Sequence, residues 1–116
     1  MQNKDIVVAA TTALFGDRDL SAIDRFWSPG YRQHSALAAD GVGGLRELVT
    51  HLPSGFSYQI HRVFGDDDLV VTHGTYFGFG PDPQVAFDLW RVEAGAIVEH
   101  WDALQPVVTE TASGRS

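Results

Sequence analysis

The chain has 116 residues, 44% of them hydrophobic and 20% charged, enough for one compact domain around one core and too few for two. Fifteen acidic against eight basic residues give a formal net charge of -7, so a phosphate backbone or an anionic membrane surface would repel it. The absence of cysteine excludes disulfides, thiolate nucleophiles and zinc-thiolate centres, and the single lysine, Lys4, lies too near the N-terminus to serve as a buried Schiff base.

The predicted elements begin with a helix that follows the possible cap Asn3, carries Ile6, Ala9, Ala10, Ala13 and Leu14 on one face, and ends near Gly16. A second, shorter helix follows Ser21, whose spacing to Asp24 resembles a capping box, and Ser28-Pro29-Gly30 stops it. Tyr31 to Leu37 reads as extended, and a third helix carrying Leu45, Leu48 and Val49 is closed by Pro53. From Phe56 the period changes to two. The runs Phe56 to Phe64, Leu69 to Phe79, Gln84 to Glu93 and Ala96 to Leu104 predict four antiparallel strands joined by hairpins. Three helices followed by a meander define an α+β domain, a sheet covered by helices on one face, over residues 1–108. Residues 109–116 are small and polar and read as a flexible tail. The chain contains neither a bilayer-length apolar run nor a secretory leader pattern, so a cytoplasmic location is expected.

Hairpin register decides which polar residues meet. A three-residue loop ending at Gly95 would pair Val92 with Ala96, Trp90 with Val98, Asp88 with His100 and Ala86 with Asp102. Asp88, His100 and Asp102 then share one face, with Trp90 and Val98 among them. A four-residue loop over Gly80 to Pro83 would add Thr75 beside Asp88 and His73 beside Trp90. Carboxylates and imidazoles gathered on an enclosed apolar face have the desolvation and mutual charge that move pKa values toward neutrality. The opposite face would carry Phe87, Leu89, Arg91, Ile97, Glu99 and Trp101, an aromatic surface that calls for a second subunit and hence a homodimer. His34 is a second base or substrate contact if its segment crosses the cavity mouth, and a turn histidine otherwise. His51 and His61 read as structural or solvated. Asp66-Asp67-Asp68 reads as an exposed turn without the ligand spacing of a calcium loop.

The stretches Phe87 to Gly95 and Ile97 to Gln105, with Tyr31-Arg32-Gln33-His34 upstream, resemble the SnoaL-like polyketide cyclase family. That family shares its cone-shaped α+β fold, a cystatin-like curved sheet wrapped around helices, with nuclear transport factor 2 and ketosteroid isomerase. The resemblance implies an internal apolar pocket, dimerisation through the outer sheet face, and an aspartate acid/base at the position of Asp102. It also places Asp88 where the cyclases carry a histidine and ketosteroid isomerase a protonated aspartate.

The expected activity is therefore a lyase or isomerase step next to a carbonyl, of aldol or cyclase type, on an apolar small molecule, with neither cofactor nor metal. Asp102 is the expected base, and His100, His73 or a protonated Asp88 the stabiliser of the enolate oxygen. Tyr31, His34, Thr75, Trp90, Val98 and Gln105 are the candidate substrate contacts. A non-catalytic binding module and a hydratase or dehydratase using a histidine-aspartate pair are the alternatives.

Overall fold

The computed structural model describes residues 1–115, and residue 116, the end of the expected tail, lies outside the described residues. Helix α1 (Asn3–Thr11) starts one residue earlier than the sequence implies. Gln2 is its cap, in a reciprocal box with Asp5. A π-helical turn (Thr12–Gly16) prolongs it and brings Leu14 into the core. Helices α2 (Ala22–Phe26) and α3 (Gly41–Thr50) follow, the latter capped by Asp40. Asp40 Oδ1 also accepts the backbone N–H of Gln33 at 2.7 Å, which ties the start of α3 to the chain that precedes it. Among the described residues, no helix is long and apolar enough to cross a membrane.

The sheet has five strands rather than four, β1 (Trp27–Gln33), β2 (Ser57–Asp66), β3 (Leu69–Phe77), β4 (Gln84–Glu93) and β5 (Ala96–Pro106), in the order β1-β5-β4-β3-β2. The expected meander is present in β2 to β5. The addition is β1, an edge strand that runs parallel to β5 and makes the sheet mixed. The second helix ends at Phe26, and Ser28-Pro29-Gly30, expected to stop it, lies inside β1 where the pairing is irregular, a place an edge strand allows to proline. Ile6, Val7, Ala10 and Leu14 of the first helix, Leu45 and Val49 of α3, and Val70, Trp90, Val92 and Ile97 of the sheet form one core. The sheet curves around these helices as in the cone-shaped fold.

Two turns depart from expectation. Between β4 and β5, Ala94 and Gly95 both have positive φ (50° and 79°), so the loop has two residues and pairs Glu93 with Ala96. A bulge at Val98 then sets Arg91 opposite Glu99, Trp90 opposite His100 and Asp88 opposite Asp102. The shift from the expected pairing is two residues, so Asp88, Trp90, His100 and Asp102 keep their common face. The bulge turns Ile97 into the core instead of outward.

Between β3 and β4 the consequence is larger. Gly78 leaves the sheet with φ of 77°, in a position where a Cβ would stand 2.4 Å from the Gly55 carbonyl oxygen. Only glycine permits that approach. Tyr76 rather than Phe79 therefore pairs near Gln84, a shift of three residues, and an odd shift exchanges the faces of β3. Val70, Thr72, Gly74 and Tyr76 face inward, while His73 and Thr75 face outward.

Candidate active site

The inner face of the sheet, the β1 end and α3 line a cavity of about 50 Å³, whose polar lining is Tyr31, Gln33, Ser35, Tyr58, Tyr76, His100 and Asp102 among apolar side chains. Behind its wall lies Asp88, only 1% exposed. Asp88 Oδ1 is 2.7 Å from His100 Nε2, and the hydroxyls of Tyr58 (3.0 Å) and Tyr76 (3.0 Å) donate to Oδ2. Thr72 Oγ1 accepts from Trp90 Nε1 at 3.1 Å and meets the Tyr58 hydroxyl at 2.8 Å. Since Tyr58 spends its proton on a carboxylate, Thr72 is the donor in that last bond.

One backbone group sets the polarity of the rest. The Ser35 N–H donates to Gln33 Oε1 at 3.1 Å, which fixes the orientation of the amide. His100 Nδ1, 2.6 Å from the same oxygen, must then carry a hydrogen, and Gln33 Nε2 donates to the Tyr31 hydroxyl oxygen at 2.8 Å. With Nδ1 protonated, a single further proton occupies the bond between Nε2 and Asp88. Two phenol donors on Asp88 stabilise negative charge there and so favour the charge-separated form, imidazolium facing carboxylate. Trp90 packs against the imidazole with ring centroids 4.2 Å apart.

Burial pushes the Asp102 carboxyl above the usual aspartate range, opposed by the Ser35 hydroxyl and the His100 charge and reinforced by Asp88. Burial first and the Asp88 charge second push the Tyr58 and Tyr76 phenols upward. Asp88, His100 and Asp102 offer potential ligand atoms within 4.8 Å of one another. The donor set fits a metal poorly, because both His100 nitrogens and both Asp88 oxygens are engaged in the hydrogen bonds just described.

Of the residues expected at the site, Asp88, Trp90, His100, Asp102 and Tyr31 come together at the cavity or directly behind it. The other five do not. His73 stacks on Phe87 on the outer face, with centroids 4.6 Å apart, and Thr75 bonds His61 there at 2.8 Å, both displaced by the odd register shift. Val98 is the bulged residue, and Gln105, opposite Val85, is exposed on the outer side. His34 does not face the cavity. Its Nε2 is 2.7 Å from Glu99 Oε2 and its ring stacks on Trp101 at 4.9 Å, because the residue after inward Gln33 points outward. Glu99 also pairs with Arg91 at 3.3 Å, and these contacts hold its carboxyl below the usual range, the His34 hydrogen bond most of all.

Sequence reasoning missed Gln33, Thr72, Tyr58 and Tyr76. The alternation Tyr31, Gln33 was available to place Gln33 beside Tyr31, whereas the other three depended on the β3 register.

Residues 8–100 match the family model described as a SnoaL-like domain. No curated protein matches the chain. Among solved structures, IdmH of Streptomyces antibioticus, described as a proposed polyketide cyclase, is 20% identical with a TM-score of 0.74 over 90% of this chain and 92% of its own. An NTF2-like protein of unknown function from Cytophaga hutchinsonii is 17% identical, with a TM-score of 0.77 over 91% and 92%. Another from Burkholderia xenovorans is 14% identical, with a TM-score of 0.77 over 96% and 88%. At these identities the likeness is one of fold.

Proposed function

The chain belongs to the SnoaL-like domain family, and from that premise we propose that it is a cofactor-free enzyme that abstracts a proton next to a carbonyl of an apolar small molecule. The reaction is of aldol, cyclase or isomerase type, and Asp102 is the base. The observation that carries this reading is the position of Asp102 at the cavity wall, with a carboxyl raised by burial. A base whose affinity for a proton is raised suits abstraction of a weakly acidic C–H.

The neighbouring His100-Asp88 pair serves as a fixed wall of opposite charges. A hydratase of histidine-aspartate type would need a His100 nitrogen free to hold water, and the partners at 2.6 and 2.7 Å occupy both. At about 50 Å³ the cavity has room for a few waters, so a larger substrate enters by displacing lining side chains such as Leu37, which is 43% exposed on the segment before α3.

The test is deuterium exchange at the α-carbon of a panel of enolisable ketones, followed by NMR. Wild type is expected to accelerate exchange and Asp102→Asn to lose about 10²-fold or more of that acceleration. Saturable binding of the ketones without any exchange would assign the pocket to a binding module instead.

A further inference from the structure

We propose that the Tyr31 hydroxyl is the donor that holds the substrate's carbonyl oxygen, and then the enolate oxygen formed from it. The inference rests on the proton abstraction assigned to Asp102 and adds the group that receives the developing negative charge.

Three phenols line the cavity, and the hydrogen-bond polarity treats them differently. Tyr58 and Tyr76 both direct their protons at Asp88, so neither has one to give a ligand. Tyr31 instead accepts from Gln33 Nε2, a direction fixed by the Ser35 backbone N–H at the other end of the amide. Among the described residues the Tyr31 proton has no acceptor. The side chain is only 3% exposed, so bulk water does not serve that proton either. A buried donor left open is costly in a folded protein unless a ligand or ordered water completes it.

The same bookkeeping excludes the other candidates. His100 has both nitrogens engaged, Asp88 is a carboxylate receiving three donors, and His73 lies on the outer face. Tyr31 and Asp102 also sense one another, since the Asp88 and Asp102 charges add to burial in pushing the phenol upward. In the reaction the Asp102 carboxylate takes the α-proton and the C–H electron pair forms the C=C bond. The C=O π pair moves onto oxygen, where the Tyr31 O–H donates to it without needing to transfer its proton. The amide of Gln33, donating to the phenol oxygen, strengthens that O–H as a donor.

Cyclohexanone labelled with carbon-13 at the carbonyl reports both roles, through its carbonyl shift when bound and its α-deuterium uptake. The carbonyl resonance is expected to lie downfield when bound to wild type or Asp102→Asn and to move upfield in Tyr31→Phe. Replacement of Tyr31 by 3-fluorotyrosine, a stronger donor of the same shape, should move it further downfield. Exchange should fall by about 10²-fold in Tyr31→Phe. An unchanged carbonyl shift in both Tyr31 variants overturns the assignment, whether or not exchange occurs. No exchange in wild type, with the shift still dependent on Tyr31, would remove the catalytic reading and leave the donor role standing. Failure of the wild-type protein to bind the ketone saturably overturns both.

Discussion

His100 Nε2 and Asp88 Oδ1 lie 2.7 Å apart, both buried, and their proton is counted by the bonds around them rather than by either residue alone. Gln33 demands a hydrogen on the far side of the imidazole, and two tyrosines demand an acceptor on the far side of the carboxylate. The pair therefore behaves as one unit. Asp88→Ala leaves an imidazolium and two phenols without their acceptor, and should lower unfolding stability by about 3–5 kcal/mol. Urea denaturation of both single variants and the Asp88→Ala/His100→Ala double variant should show a combined loss well below the sum.

Asp102 should make stability depend on pH in the opposite sense to a salt-bridged carboxylate. Its folded-state carboxyl is raised above its unfolded value, so the native state binds the extra proton. Its contribution is full below the unfolded pKa and is lost as pH rises through the raised folded one. Asp102→Asn should abolish that decline and unfold at a higher temperature than wild type at neutral pH, as read by thermal melts across the acid range.

Glu99 has the reverse sign. Its carboxyl is depressed by His34 first and by Arg32 and Arg91 besides, so its contribution is present above the unfolded pKa and lost as pH falls through the depressed folded one. Glu99→Gln should flatten the acid limb of the melting profile. His34→Ala should move that limb toward higher pH, because the largest cause of the depression is gone.

Gly74 has space for no side chain, since a Cβ there would stand 2.5 Å from the Gln59 carbonyl oxygen and 2.7 Å from Tyr58 Cε1. Gly74→Ala should cost about 1–3 kcal/mol and push the Tyr58 hydroxyl off Asp88. Gly43, inside α3 with nothing near its missing Cβ, gives the contrast. Gly43→Ala should stabilise by about 0.5–1 kcal/mol through helix propensity, measured in the same denaturant series.

Phe64, Val71, Leu89 and Trp101 occupy one row across the outer face of β2, β3, β4 and β5, with Phe87 in the next row. Phe64 is 61% and Phe87 54% exposed. We propose that a second copy of the chain covers this surface. Sedimentation at micromolar concentration should find a dimer for wild type and a monomer for Trp101→Glu. A wild-type monomer would remove the proposal.

The sequence by itself determined the three helices, the meander of β2 to β5, and the shared face of Asp88, Trp90, His100 and Asp102. Those features rest on local periodicity, and the common face survived because the last hairpin differed from expectation by an even number of residues. What only the tertiary structure decided was the face of β3 and the partner of β1. Gly78 leaves the sheet to pass Gly55, a contact between distant segments that no turn rule at Gly80 to Pro83 contains, and it exchanged His73 and Thr75 for Thr72 and Tyr76 at the site. Likewise, Tyr31 and Gln33 reach the cavity because β1 pairs in parallel with β5, where the His34 backbone N–H bonds the His100 carbonyl at 2.9 Å. A parallel pairing between residues so far apart in the chain leaves no short-range signature, whereas a hairpin writes its geometry into the residues of its own turn.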